Sequence, residues 1–152
     1  MTIVHPADEV ADRLAIRETL AWYMRAMRIK DLDLMDAVFT PDAVIDYTAI
    51  GGTPGPWPEV KPWLAGMVLG VELFSLYVGD VYPTFHTGPG GDGSSATVES
   101  TWHGVFAAAP GAVPLIVYGS YTDEFVRAAD GWRISKRTDQ PAIQVPAGGA
   151  ST

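Results

Sequence analysis

The second half of the chain is dominated by long segments with the alternating polar and apolar pattern of β-strands. Four such segments are predicted as strands and are separated by turns rich in Gly and Pro: residues 84–87, 96–108, 113–127 and 132–139. Helical segments come before them. Helices followed by a meander of strands predict an α+β fold, in which a curved antiparallel sheet wraps around the N-terminal helices and leaves a cavity.

The first helix is predicted from Pro6 to about residue 28. Its apolar residues recur at spacings of three and four and form one stripe: Ile16, Leu20, Tyr23 and Met27. Shorter helices are predicted over 32–39 and 59–69, with a short strand starting at Ala43. Residues 71–81 fit either a helix or a strand, and residues 88–93 are predicted as a hairpin loop.

The length of 152 residues suits a single domain, which we assign to residues 1–145, with a flexible tail at 146–152. The net charge of −8, without any run of Lys or Arg, argues against nucleic acid or a membrane surface as a partner. The N-terminal residues lack the pattern of a signal peptide, so a cytoplasmic protein is expected.

The chain contains no cysteine, which excludes disulfides and thiolate catalysis. Only three histidines occur, and none has the spacing of a known metal motif. We therefore expect neither a metal nor a cofactor, and a small apolar organic ligand is the expected partner.

Two histidines are candidates for chemistry. His86 follows the strand-like segment YPTF and precedes the glycine-rich turn, so it is expected near a strand end that faces the mouth of the cavity. Imidazole transfers protons near neutral pH, which makes His86 the leading general base or acid, although a structural histidine fits the same pattern. His103 lies in mid-strand on the face opposite Trp102, and it either lines the cavity or faces solvent.

Further candidates lie on the helices and the first strand. Tyr23 is in the apolar stripe, so its buried hydroxyl needs a partner, either a substrate oxygen or a backbone carbonyl. Asp46 and Tyr47 must point to opposite faces of their strand, and only one of them can face the pocket. Trp63 and Met67 are interpreted as pocket wall or as core.

Four segments in family order resemble the SnoaL-like branch of the nuclear transport factor 2-like superfamily. They are DRLAIRETLAWYMRAMRIKDLDLMDAVF from Asp12, DAVIDY from Asp42, FHTG from Phe85 and SYTDEFVRAADGWRISKR from Ser120. The resemblance implies a cone-shaped α+β barrel with a deep apolar cavity. It also implies a cofactor-free protein that is a homodimer or homotrimer.

Within this superfamily the chain is similar to the scytalone dehydratases and the bile-acid 7α-dehydratases. Their reaction is a histidine-centred proton transfer next to a carbonyl that tyrosines polarise. The resemblance gives His86 the place of that histidine, gives Tyr23 and Tyr47 the places of the tyrosines, and favours Tyr47 over Asp46. We predict further substrate contacts from seven residues: Met27, Arg28, Asp46, Trp63, Met67, His103 and Ser120.

One position departs from both families. They carry an aspartate at the end of the first helix to pair with the histidine, and this chain has Arg28 there. A guanidinium near His86 would oppose protonation of the imidazole, whereas a carboxylate would favour it. Asp46 or Asp139 could replace the missing acid, or the protein binds a ligand without turnover.

The leading hypothesis is a cofactor-independent lyase, a dehydratase, or an isomerase. It would act on an apolar cyclic hydroxy-ketone, polyketide-, terpenoid- or steroid-like, by proton abstraction beside the carbonyl. The alternative is a non-catalytic protein of the same fold that binds a small hydrophobic ligand. A structural or adaptor subunit is the third hypothesis, and it would require a large exposed apolar face.

Overall fold

A computed structural model describes residues 5–88 and 91–148, which form helices on one side of a seven-stranded sheet. The helices are α1 (Ala7–Ile29) and α2 (Trp57–Leu69), and two short 3-10 helices span Leu32–Ala37 and Thr48–Ile50. The strands are β1 (Phe39–Asp46), β2 (Gly55–Pro56), β3 (Leu73–Gly88), β4 (Gly91–Ala107), β5 (Leu115–Ala128), β6 (Gly131–Asp139) and β7 (Ile143–Pro146).

The sheet has the strand order β2-β1-β6-β5-β4-β3, and β7 pairs with β5. This curved sheet with N-terminal helices confirms the predicted α+β class. The sheet is mixed rather than wholly antiparallel, because β1 and β6 pair in parallel. A parallel pair needs a long connection, and α2 with the β3–β5 meander supplies it. The sheet is also not closed into a barrel.

Most predicted elements are present with shifted ends. The helix predicted over 32–39 is a 3-10 helix that stops at Ala37, and Phe39 already begins β1. The ambiguous residues 71–81 contribute to strand β3. The centre of the predicted hairpin loop, residues 89 and 90, lies outside the described residues. Of the predicted tail, Pro146 ends β7 and residues 149–152 lie outside the described part of the chain.

The core lies between α1 and the inner, concave face of the sheet. Helix α1 contributes the stripe that the sequence predicts, and Ile16, Leu20, Tyr23 and Met27 are all buried. The sheet contributes alternate residues of its longer strands, such as Ala96 and Val98 of β4, which are fully buried. The intervening residues form the outer face of the sheet.

Strand β3 contains one extra residue that reverses its inside and outside positions. Val78 pairs with Trp102 and Val81 pairs with Ser100, so three steps along β3 match two along β4. Before this bulge the even-numbered residues of β3 face the core. After it the odd-numbered residues do, and Phe85 packs against Trp132 at a ring distance of 5.8 Å.

Gly119 of β5 provides the space in which the indole of Trp102 lies flat on the sheet. A Cβ atom at Gly119 would overlap with the Trp102 ring, whereas one at Gly66 on α2 would meet no atom within 4 Å.

We expect Gly119→Ala to lower the free energy of unfolding by about 1–3 kcal/mol through overpacking. Gly66→Ala, the matched control, should raise it by about 0.5–1 kcal/mol. Urea unfolding of both variants measures the two effects, and equal effects would contradict this account.

Candidate functional site

An apolar cavity of about 360 Å³ opens between α1, α2 and the inner face of β3, β4 and β5. Its walls include Met27, Met67, Phe74, Leu76, Phe106 and Val117. The polar groups in its lining come from Tyr23, Tyr121, Trp102 and Gln144. A pocket of this volume and character suits a small, largely apolar organic molecule with few polar groups.

Tyr23 and Tyr47 form a hydroxyl pair beside this cavity. Their oxygens are 2.8 Å apart, and both side chains are buried. Burial raises the pKa of Tyr23 and raises that of Tyr47 well above its ordinary value, and the nearby cation of Arg137 acts against burial at both. Both phenols are therefore neutral hydrogen-bond donors across the physiological pH range.

A buried ion pair lies behind the tyrosines. Arg137 of β6 makes a bidentate contact with Asp123 of β5, with Nε–Oδ1 at 2.8 Å and Nη2–Oδ2 at 2.7 Å. The guanidinium carbon lies 4.2 Å from the ring centre of Tyr23 and 3.9 Å from that of Tyr121. Burial lowers the pKa of Arg137, but Asp123 outweighs burial and keeps the guanidinium charged. The site thus holds a fixed positive charge.

Asp139 is a second buried carboxyl next to this group. Its side chain is 4% exposed, and neither of its oxygens has a hydrogen-bond partner of normal geometry. The indole nitrogen of the nearby Trp102 also lacks such a partner. Burial raises the pKa of Asp139 to about 6, although Arg137 acts against the shift. This carboxyl can therefore change its protonation state near neutral pH.

The cavity brings together some of the residues that the sequence selects. Tyr23, Met27 and Met67 line it, and Tyr47 is bonded to Tyr23. Trp63 packs against the ring of Tyr47 at 6.0 Å and does not line the cavity.

His86 does not join them. Its Nε2 lies 2.9 Å from Oγ1 of Thr97, whose hydroxyl donates to Glu124, so the imidazole donates to Thr97. Thr97 lies between the buried residues Ala96 and Val98, and its side chain therefore points to the outer face of the sheet. The bulge in β3 is the reason, because the even-numbered residues after it point outward.

Four other predicted contacts also lie away from the cavity. Arg28 is exposed on α1, and Asp46 accepts hydrogen bonds from the backbone and hydroxyl of Thr48. His103 and Ser120 belong to the outer face, where His103 stacks on a neighbouring tyrosine. Strand alternation explains both placements, since Trp102 and Tyr121 next to them face inward.

The sequence reasoning missed the ion pair of Asp123 and Arg137 and gave Asp139 only as an alternative acid. A signal for the pair is present in the segment SYTDEFVR. There Asp123 alternates with Tyr121 and Phe125, so it shares their inward face. A charged residue on an apolar face needs a buried partner. Alternation in β6 does not reveal it, because Trp132 and Ile134 are buried and a register shift after Ile134 brings Arg137 rather than Lys136 inward.

Within residues 5–88 and 91–148, no three His, Asp or Glu side chains converge in a way that could hold a metal ion. In the same part of the chain, neither α1 nor α2 has the length and apolar character needed to span a membrane.

The chain belongs to the SnoaL-like family, whose domain model matches residues 8–138. An uncharacterized protein of Mycobacterium tuberculosis is 37% identical over 136 residues, which cover 90% of this chain and 89% of that protein. The similarity to this family thus covers nearly the whole chain.

Solved structures show the same fold. A protein of Novosphingobium aromaticivorans proposed to be a scytalone dehydratase is 16% identical with a TM-score of 0.74, over 95% of this chain and 96% of that one. A hexachlorocyclohexane dehydrochlorinase of Novosphingobium barchaimii is 17% identical with a TM-score of 0.77, over 95% and 96%. Both structures share the fold of this chain over nearly its whole length.

We predict that the ion pair of Asp123 and Arg137 stabilises the fold. Asp123→Asn leaves the buried guanidinium without a counter-charge, which should cost about 3–5 kcal/mol of unfolding free energy. Asp130→Asn removes an exposed partner of Arg133 and should cost less than about 1 kcal/mol. Urea unfolding at pH 7 compares the two variants. A loss at Asp123 no larger than that at Asp130 would contradict the prediction.

Proposed function

We propose that this protein is a cofactor-independent lyase or isomerase that abstracts a proton next to the carbonyl of an apolar cyclic hydroxy-ketone. The observation that carries the proposal is the hydroxyl pair of Tyr23 and Tyr47 beside a 360 Å³ apolar cavity. A ring system of two or three fused rings fits this volume, and the apolar walls favour its carbon skeleton.

The proposed role of the tyrosines is to hold the substrate oxygen as it becomes an enolate. A neutral phenol in a desolvated site donates a strong hydrogen bond to a developing negative charge. The guanidinium of Arg137, 4.2 Å from the ring centre of Tyr23, adds a fixed positive charge next to that ring. The donors are held in place before the substrate arrives, so little reorganisation is needed.

A second candidate function is the binding of a small hydrophobic ligand without turnover. It is favoured by the position of His86, whose imidazole bonds to Thr97 outside the cavity. An apolar cavity with a polar inner wall would serve such a binding protein equally well. The two candidates differ in a single observable, which is chemical turnover of a molecule that the cavity binds.

We expect the protein to remove water from 3-hydroxy-1-tetralone. The unsaturated ketone that forms loses a proton from C4 and gains one at oxygen to give aromatic 1-naphthol, whose fluorescence reports the reaction. Tyr23→Phe and Tyr47→Phe should each lower kcat by about 10- to 100-fold, because each removes one donor to the enolate oxygen. Tyr77→Phe, which changes a tyrosine on the outer face, is the matched control and should leave kcat unchanged. Melting curves confirm that all variants fold.

The assay separates the two candidate functions. Turnover no faster than the uncatalysed reaction contradicts the enzymatic proposal for this class of substrate. Binding of 1-naphthol in titration calorimetry without any turnover then supports the ligand-binding candidate. Full activity in both cavity tyrosine variants would contradict the role given to the hydroxyl pair.

We also propose that a second copy of this chain covers part of the outer sheet face. Tyr77, His103, Tyr118 and Ile143 form one row across β3, β4, β5 and β7, and three of the four are large exposed side chains. The adjacent row contains Ser75, Val105, Ile116 and Val145. Neither row contains Asp, Glu, Lys or Arg. Two copies of a chain with a net charge of −8 repel each other least through such an uncharged surface.

We expect the protein to sediment as a dimer or trimer and Tyr118→Glu to dissociate it, since the substitution buries a carboxylate in the contact. Leu14→Glu, at an exposed position on α1, is the matched control and should leave the assembly intact. Sedimentation velocity measures both variants. A monomeric wild-type protein, or a Tyr118→Glu variant that still assembles, would contradict this interface.

A further inference from the structure

The polar groups of the cavity lie at two separate places. Tyr23, Tyr121 and Trp102 lie close together, and the hydroxyl of Tyr23 bonds to Tyr47. The remaining polar group is the side-chain amide of Gln144, on the short strand β7. The other residues that the structure places in the lining are apolar. The amide is therefore an isolated polar group in an otherwise apolar part of the wall.

Strand register determines where Gln144 lies. It pairs with Val117 of β5, which is buried on the inner face of the sheet. Directly opposed residues of antiparallel strands have their side chains on the same face, so Gln144 also faces inward. Tyr121 lies four residues further along β5, and four residues of a strand span roughly 13 Å. This separation suits two fused rings that carry a polar substituent at each end.

The amide of Gln144 is available to a bound molecule. The residue is exposed, and no side-chain hydrogen bond is formed by it within residues 5–88 and 91–148. Its neighbours in the lining, Leu115 and Val117, are apolar and offer no alternative partner. An amide both donates and accepts, so it can bind a hydroxyl or a carbonyl. A carbon substituent in the same place would displace water from the amide without replacing its hydrogen bonds.

We propose that Gln144 selects ligands with a second oxygen at the end of the ring system remote from the carbonyl. The inference rests on the proposed function, which places the carbonyl oxygen at Tyr23 and Tyr47. The apolar wall between these two places favours a bare carbon skeleton in the middle of the ligand. Gln144 is thus a specificity-determining residue and takes no part in proton transfer.

Titration calorimetry with two matched ligands tests this assignment. The ligands are 1,6-dihydroxynaphthalene and 6-methyl-1-naphthol, which share the ring system and differ only in the group that meets the amide. The selectivity is the Kd of the methyl compound divided by the Kd of the dihydroxy compound. In Gln144→Leu the selectivity should be about tenfold lower than in the wild type, because the variant cannot hydrogen-bond the distal hydroxyl. A general change in affinity cancels in this ratio.

Two further variants separate hydrogen bonding from a change of shape. Gln144→Glu keeps an acceptor for the distal hydroxyl and should keep the selectivity within about threefold of the wild type. Gln140→Leu, between β6 and β7 and outside the lining of the cavity, is the matched control with wild-type selectivity. Melting curves show that each variant folds.

The outcomes distinguish this assignment from the function on which it rests. A wild-type protein that binds neither ligand overturns both. Binding with a selectivity that Gln144→Leu leaves unchanged, or that Gln140→Leu lowers equally, overturns the assignment alone. A selectivity that depends on Gln144 in a protein without turnover of 3-hydroxy-1-tetralone supports the assignment and overturns the enzymatic proposal for this class of substrate.

Discussion

The buried ion pair of Arg137 and Asp123 is the interaction on which the inner wall of the cavity depends. Two charges removed from water are costly unless they are well compensated. Here both carboxylate oxygens accept from the guanidinium, while Nη1 of Arg137 has no hydrogen-bond partner of normal geometry. The rings of Tyr23 and Tyr121 lie against the guanidinium and add a favourable interaction with the cation. One arginine thereby connects α1 to β5 and β6 and fixes the position of two phenols that the cavity needs.

The same ion pair determines the electrostatic character of the site. Asp123 neutralises Arg137 only partly at the tyrosines, because it bonds to the Nε and Nη2 edge while the rings meet the guanidinium face. Arg137 consequently lowers the cost of negative charge at Tyr23, Tyr47 and Asp139 together. That property suits an enolate intermediate and gives a simple hydrocarbon ligand no advantage.

The sequence predicts the fold class and a few of the residues that line the cavity, because periodicity is local information. Tyr23 and Met27 follow from the helical stripe of α1, and the stripe is visible in the residue spacing alone. The ion pair is different, because its partners lie on separate strands and their contact depends on strand pairing. Alternation in SYTDEFVR places Asp123 on the inward face, but it does not name Arg137 as the partner. The sequence also does not predict that the sheet is mixed, because nothing in the residues of β1 indicates that this strand pairs in parallel with β6.

His86 demonstrates how one inserted residue changes a functional assignment. Without the bulge, β3 would keep its even-numbered residues inward, and the imidazole would point toward the core. The bulge is stabilised by Thr101, whose hydroxyl accepts the N–H of Asp80, and by Gly79, where a Cβ would lie 2.6 Å from that hydroxyl oxygen. The residues that specify the bulge are therefore shared between β3 and β4, and a reading of β3 alone cannot detect it. The imidazole of His86 therefore bonds to Thr97 on the outer face of the sheet, and no histidine lines the cavity among the described residues.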